Sequence, residues 1–134
     1  MENAPVRRLE DKIARYQLVH RVGVSLGQER NKQRLVETIL LEAKNLCRAD
    51  GGTLYLRTDE DDLEFVIMRT DTLGIALGGT TGKPIELPPI PLSDESGNAN
   101  SNNVAAHAAN TKETVHVADA YDAPGFDFSG THAF

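Results

Sequence analysis

Two short runs rich in β-forming residues, Thr53-Leu-Tyr-Leu-Arg57 and Leu63-Glu-Phe-Val-Ile-Met68, limit the folds open to this chain more than any other feature. They are joined through Asp59-Glu-Asp-Asp62, so the segment 53–68 is expected to form an antiparallel hairpin. The acidic turn lacks the calcium-loop spacing, with its central glycine and twelfth-position glutamate, and reads as a solvated turn.

A helix should precede the hairpin. Asn31 can cap a segment running to about Ala49, on which Leu35, Val36, Ile39, Leu40, Ala43, Leu46 and Cys47 form a broad apolar face suited to packing on a sheet. Ala49-Asp-Gly-Gly52 supplies the stop. Cys47 on that face reads as a small core residue, because no nearby cation or second thiol would lower its pKa.

Upstream, Val6, Leu9, Ile13, Tyr16, His20 and Gly23 are spaced 3-4-3-4-3, an a/d stripe on a helix from about Val6 to Leu26. Gly27 offers a break. The stripe serves either a helix packed on its own domain or a dimer seam, and a parallel or antiparallel homodimer through Leu9, Ile13 and Tyr16 is expected.

Residues 69–103 read as a long, turn-rich excursion. Within it Gly78-Gly-Thr-Thr-Gly-Lys83 fails as a phosphate loop, since Leu77 stands at the first glycine and Pro84 at the magnesium-binding hydroxyl. Ile85 to Leu92 is extended but carries three prolines, which confine it to a sheet edge. Ser93 to Asn103 is polar and expected to be mobile. Asn102 or Asn103 then caps a short helix, Val104 to about Asn110, whose alanines allow close approach to a sheet or a ligand.

Thr114-Val-His-Val117 alternates like a short strand and leads into Asp119-Ala-Tyr-Asp-Ala-Pro-Gly-Phe-Asp-Phe128. Three of the four phenylalanines (Phe126, Phe128, Phe134) and Tyr121 fall in this tail. Exposed rings invite aggregation, so they are expected to cover something.

Bulk properties exclude several classes. The chain of 134 residues fits one domain, and 40% hydrophobic with 25% charged residues is ordinary for a soluble protein. A balance of 14 basic and 20 acidic residues, net −6, argues against nucleic acid as a partner. One cysteine rules out an internal disulfide and fits a reducing compartment. No apolar run approaches a membrane span or a signal peptide, so a cytoplasmic protein is expected. His20, His107, His116 and His132 are isolated, which leaves metal binding without support, and no nucleophile motif accompanies the serines.

The order helix, helix, Ala-Asp-Gly-Gly-Thr-Leu-Tyr-Leu (49–56), second strand, long loop, short Ala-rich helix, strand and Asp-Ala-Tyr loop resembles a GAF domain. Its most specific piece, Asn103 to Tyr121, is similar to the helix-strand-loop segment of GAF domains in cyclic-nucleotide phosphodiesterases, adenylate and guanylate cyclases and bacterial HD-GYP phosphohydrolases. Asp71-Thr-Leu-Gly74 and Phe126-Asp-Phe-Ser-Gly130 look closest to the HD-GYP-associated and cyclase-associated group. The likeness covers about Gln28 to Phe134.

The resemblance implies an α+β fold. An antiparallel sheet carries the N-terminal helices on one face, and the short helix and loops on the other. It divides the chain into an N-terminal dimerisation or signalling helix, 1–27, and a GAF domain, 28–134, truncated at its C-terminus. Two central strands between Thr53–Arg57 and Thr114–Val117, and the cyclic-nucleotide signature, would lie beyond Phe134. A chain of 1–134 alone is then expected to swap segments, re-pair or aggregate.

The function implied is a regulatory, small-molecule-sensing module that controls a linked or partner effector domain, without catalysis and without a cofactor. Thr53, Thr70, Asp71, Ala105, Asp119 and Tyr121 match the positions from which GAF pockets contact a ligand, a cyclic nucleotide or another small molecule. Two alternatives remain. One is a GAF that binds nothing and serves as a dimerisation or interaction module. The other, an enzyme of the free methionine sulfoxide reductase type, needs several placed cysteines where this chain has Cys47 alone. Bilin attachment lacks its cysteine as well.

Overall fold

The computed structural model describes residues 4–128. Among them the elements run α1 (Ala4–Gln28), α2 (Lys32–Cys47), β1 (Gly51–Arg57), β2 (Asp62–Thr70), β3 (Ile75–Gly78), β4 (Ile90–Pro91), α3 (Val104–Thr111) and a short 3-10 turn, Ala120–Asp122. The fold is α+β. The strands form an antiparallel sheet in the order β1-β2-β3, with β4 also paired to β2. No helix of the described residues is long and apolar enough to cross a membrane. The chain divides into two compact units, Met1–Leu54 with Phe65–Ile85 and Tyr55–Glu64 with Glu86–Phe134.

In the first unit, Asn31 caps α2 as expected: its side-chain oxygen accepts from the Arg34 N–H at 3.1 Å. The helix stops one residue pair early, at Arg48, which adopts the left-handed conformation (φ 51°). The Arg48 and Ala49 amides satisfy the Asn45 and Lys44 carbonyls. Gly51 and Gly52 are therefore not part of the stop but the start of β1. Gly52 has a packing reason, since a Cβ there would meet Leu40 Cδ1 at 2.9 Å. Leu40 and the fully buried Ile67 of β2 are the buried hydrophobic side chains of this unit.

The buried face of α2 differs from the apolar face expected. Leu40 is buried, but Ile39, Ala43 and Cys47 are exposed. Cys47 is thus not a core residue. Glu37 and Lys44 turn inward instead, because each finds an opposite charge, Arg69 for Glu37 and Asp71 for Lys44. Helix α1 runs through Gly23 and Gly27 to Gln28 rather than breaking at Gly27. Glycine inside a helix costs only about 1 kcal/mol relative to alanine, too little to end it alone.

The stretch after β2 is not a structureless excursion at its start. Asp71-Thr-Leu-Gly74 turns the chain and β3 returns along β2 in the register Thr70↔Ile75 to Ile67↔Gly78. Gly74 (φ +64°) takes the left-handed position and its N–H bonds the Asp71 carbonyl at 3.2 Å. Four residues ending in glycine carry too weak a β-signal to be read from sequence.

In the second unit, Leu63, Leu92 and Ala106 form a buried cluster with Tyr55, Ile90, Ala105 and Ala109 packed around it. Ala106 is fully buried, so the alanine face of α3 does give close approach. Asn103 is the cap: its side chain accepts from the Ala105 and Ala106 amides at 3.0 and 3.1 Å. The proline-rich segment pairs only at Ile90–Pro91, against Leu63 and Asp62. Outward carbonyls there are met by side-chain amides, Asn100 on Pro91 and Asn110 on Leu92, both at 2.8 Å.

Polar residues 93–103 carry their own framework. Asp94 Oδ1 accepts from the Ser96 and Asn98 amides at 2.9 and 2.8 Å, and Ser93 bridges to Ala99. Thr114–Val117 is not a strand; residues 113–117 are irregular. Alternation alone does not make a strand, because β-propensity depends on packing against cross-strand neighbours. Phe126 lies edge-on to His107 of α3, with ring centroids 5.5 Å apart, and Phe128 lies edge-on to Phe126 at 6.3 Å. The Asp127 N–H bonds the Asn102 carbonyl at 2.8 Å and fastens this segment beside the start of α3. Two tail rings therefore do cover something, whereas Tyr121 is 85% exposed and Phe134 lies outside the described residues.

Candidate functional site

Of the six ligand positions expected, Thr53, Thr70 and Asp71 belong to the first unit, and Ala105, Asp119 and Tyr121 to the second. In the first unit, Thr53 is half-buried in β1 and Thr70 ends β2. The Asp71 N–H bonds the Asp50 carbonyl at 2.9 Å, and its carboxylate pairs with the Lys44 ammonium at 2.5 Å. This carboxylate is largely exposed while the Lys44 side chain is largely buried, so the aspartate serves chiefly to neutralise the inward-turned lysine.

In the second unit, Ala105 packs against the buried cluster. Asp119 accepts from the Tyr121 N–H at 2.9 Å and so starts the 3-10 turn. Asp119 and Tyr121 are thus brought together by a local bond from a backbone amide to a side-chain carboxylate.

The most developed polar site among the described residues was not expected. Glu37 on α2 accepts from the Arg69 guanidinium, from the Thr80 hydroxyl at 2.5 Å and from the Thr80 N–H at 3.3 Å. Arg69 also donates to the Met68 and Leu77 carbonyls at 2.9 and 2.8 Å. Both charged side chains are largely buried, 11% exposed for Arg69 and 15% for Glu37. Burial pushes the Glu37 carboxyl up, but the Thr80 hydroxyl, the Arg69 guanidinium and the Thr80 amide outweigh it and hold it below its ordinary value.

The segment 78–83 that fails as a phosphate loop is thus a turn folded around a carboxylate supplied by the same chain. Its Thr81 hydroxyl bonds the Gly78 carbonyl at 2.8 Å, and the Gly78 N–H bonds Lys83 at 2.8 Å. The signal for this site was present in sequence as a glutamate between Val36 and Leu40 on an apolar helix face.

Asp94 is the other carboxyl held below its ordinary value. The Asn98 amide is the main cause, opposed by loss of solvation and helped by the Asn98 side chain and the Ser96 and Gly97 amides. Its role is to close a surface loop.

The expected dimer residues lie on an open surface. No residue of α1 is buried, and Leu9, Ile13 and Tyr16 are 59%, 47% and 74% exposed. A shallow hollow beside them is lined by Tyr16, Gln17, His20 and Arg21, all on one helix, so it has no opposing wall. Among the described residues no group of three or more histidine, cysteine, aspartate or glutamate side chains is placed to hold a metal ion. No family model, no curated protein and no solved structure matches this chain.

Proposed function

We propose that this chain is a regulatory module of the GAF type, which senses a small molecule and controls a linked or partner effector domain. The observation that carries the reading is the order of elements: two helices, a hairpin led by Gly51-Gly52, an Asn103-capped alanine helix and an Asp119-started loop. That order is compatible with the resemblance except at Thr114–Val117, where the strand the resemblance expects is irregular. The finer arrangement, with the N-terminal helices on one face of the sheet and the short helix on the other, belongs to the same proposal. So do the ligand positions Thr53, Thr70, Asp71, Ala105, Asp119 and Tyr121.

Calorimetry against cyclic nucleotides and a panel of other small metabolites tests it. A ligand found this way should bind Thr53→Ala and Asp119→Ala more weakly by about 0.5–1.5 kcal/mol each, the worth of one neutral hydrogen bond. Unchanged affinity in both variants would move the site elsewhere. Absence of any ligand would favour a second reading, that of a self-association module. A specific observation supports that second reading, namely the exposed apolar stripe Val6, Leu9, Ile13 and Tyr16 on α1.

A further inference from the structure

We infer that the hollow beside the end of α2 is an anion site that takes a compact oligophosphate group, of the kind carried by nucleoside di- and triphosphates. The inference is independent of the sensor reading and of the six ligand positions above.

Charge is distributed unevenly along this acidic chain. Residues 4–48 carry ten basic and five acidic side chains, against 14 and 20 for the whole sequence. Four of these cations, Arg8, Lys12 and Arg15 of α1 and Arg48 at the end of α2, line one hollow of about 460 Å³ together with Asp11 and Leu18. All belong to the first unit. That volume suits a small ligand.

Helix length brings them together. Helices α1 and α2, of 25 and 16 residues, are about 37 and 24 Å long, and α2 folds back along α1 after Glu29-Arg30-Asn31. Leu18, Val22 and Leu26 are the half-buried residues of α1. At about 100° per residue, the same side of the helix continues towards the N-terminus as Arg15, Lys12 and Arg8. There α2 has run out, and α1 overhangs its end by about 13 Å. The stripe is apolar where α2 covers it and basic where α2 stops.

Local neutralisation does not account for four cations. The C-terminal end of a helix such as α2 carries about half a negative charge, and Asp11 adds one more, so the hollow keeps a surplus of about two and a half positive charges. Among the described residues none of these five charged side chains has an ion-pair or hydrogen-bond partner. The arrangement also works against the fold. Arg8 with Lys12 and Lys12 with Arg15 are like charges at i,i+4 and i,i+3, a spacing that destabilises a helix. Arg48 holds φ 51°, where glycine is the favoured cap. Repulsion and strain of this kind collect where a ligand supplies the missing charge. Three guanidinium forks match phosphate oxygens, and the surplus fits a group bearing two or three negative charges better than one.

Calorimetry of the full chain with inorganic tripolyphosphate at fixed ionic strength tests the site, with orthophosphate as the comparison. Expected is saturable binding of one tripolyphosphate per chain, about tenfold or more tighter than orthophosphate. Arg48→Gly should weaken it about tenfold, the loss of one charge-assisted contact, while α2 stays folded because glycine relieves the positive φ. Arg15→Gln should weaken it to a similar degree. Asp11→Asn should strengthen it several-fold, a gain that damage to the fold would not produce. Arg34→Gln, about 21 Å along α2 from Arg48, should leave it unchanged.

No saturable heat at millimolar tripolyphosphate would overturn the site. So would equal losses from Arg34→Gln and Arg48→Gly, the mark of diffuse attraction, or equal affinity for orthophosphate. Cosedimentation with anionic phospholipid vesicles in place of tripolyphosphate binding would assign these cations to a lipid surface and overturn the small-ligand class. Thr53→Ala and Asp119→Ala, which test the sensor reading, should leave tripolyphosphate binding unchanged, so the two readings fail separately; a loss in either would move the oligophosphate site away from Arg48.

Discussion

The carboxylate of Glu37 in α2 and the guanidinium of Arg69 in β2 form a largely buried ion pair, and the same carboxylate takes the hydroxyl and amide of Thr80. A helix, a strand and the turn after β3 are thereby fastened at one point.

Glu37→Ala should destabilise the chain by about 1.5–3 kcal/mol, the usual cost of losing hydrogen bonds to a charged group. Arg69→Met should cost more than Thr80→Ala, because it leaves the glutamate charge without its cation. Urea denaturation of the three variants measures this. Equal losses for Arg69→Met and Thr80→Ala would show that the charge is not what matters.

The same pair sets an acid dependence. The folded Glu37 carboxyl is held below its ordinary value of 4.5, so the unfolded chain binds more protons between the two values. Its contribution is fully present above about 4.5 and is lost as pH falls through the lowered folded value. Glu37→Gln should flatten that part of the stability-versus-pH curve. An unchanged acid slope in denaturation from pH 6 down to pH 3 would refute the assignment.

Gly78 and Gly82 should respond differently to alanine. Both have positive φ, +72° and +70°, but a Cβ on Gly78 would fall on the Val66 carbonyl, while one on Gly82 meets open space. Gly82→Ala should cost about 1–2 kcal/mol of backbone strain. Gly78→Ala adds a clash with a neighbouring strand and should cost clearly more, as read by the midpoint of thermal melts.

Asn103→Ala should cost about 1 kcal/mol by exposing the Ala105 and Ala106 amides. Asn103→Asp should keep most of that stability. Because Ala106 is fully buried, Ala106→Val should cost a further about 1–3 kcal/mol through overpacking. Far-UV circular dichroism during denaturation separates the two effects: the cap variant frays α3, whereas the core variant shifts the midpoint.

Local chemistry made the capped and patterned elements legible in the sequence. Asn31 and Asn103 start helices where their side chains reach free amides, and the 53–68 hairpin follows from β-branched and aromatic alternation. What escaped depended on partners distant in the chain. Nothing near Glu37 announces Arg69 and Thr80, 32 and 43 residues away, so the inward face of α2 was misjudged. Conversely, Thr114–Val117 has the strand pattern but is irregular in this structure, although β1 ends the strand order. The six ligand positions came from resemblance, and in this structure Asp71 and Asp119 each have a local structural duty as well.

The hairpin is threaded through both compact units: the chain leaves the first unit after Leu54, re-enters it at Phe65 and leaves again after Ile85. Excision is therefore asymmetric. A piece ending at Ile85 keeps every residue of the first unit, but a piece starting at Glu86 has lost Leu63, the side chain around which Leu92 and Ala106 close. The second unit borrows its central apolar residue from an earlier stretch of chain, and α3 can bury its alanines only after that stretch has been made.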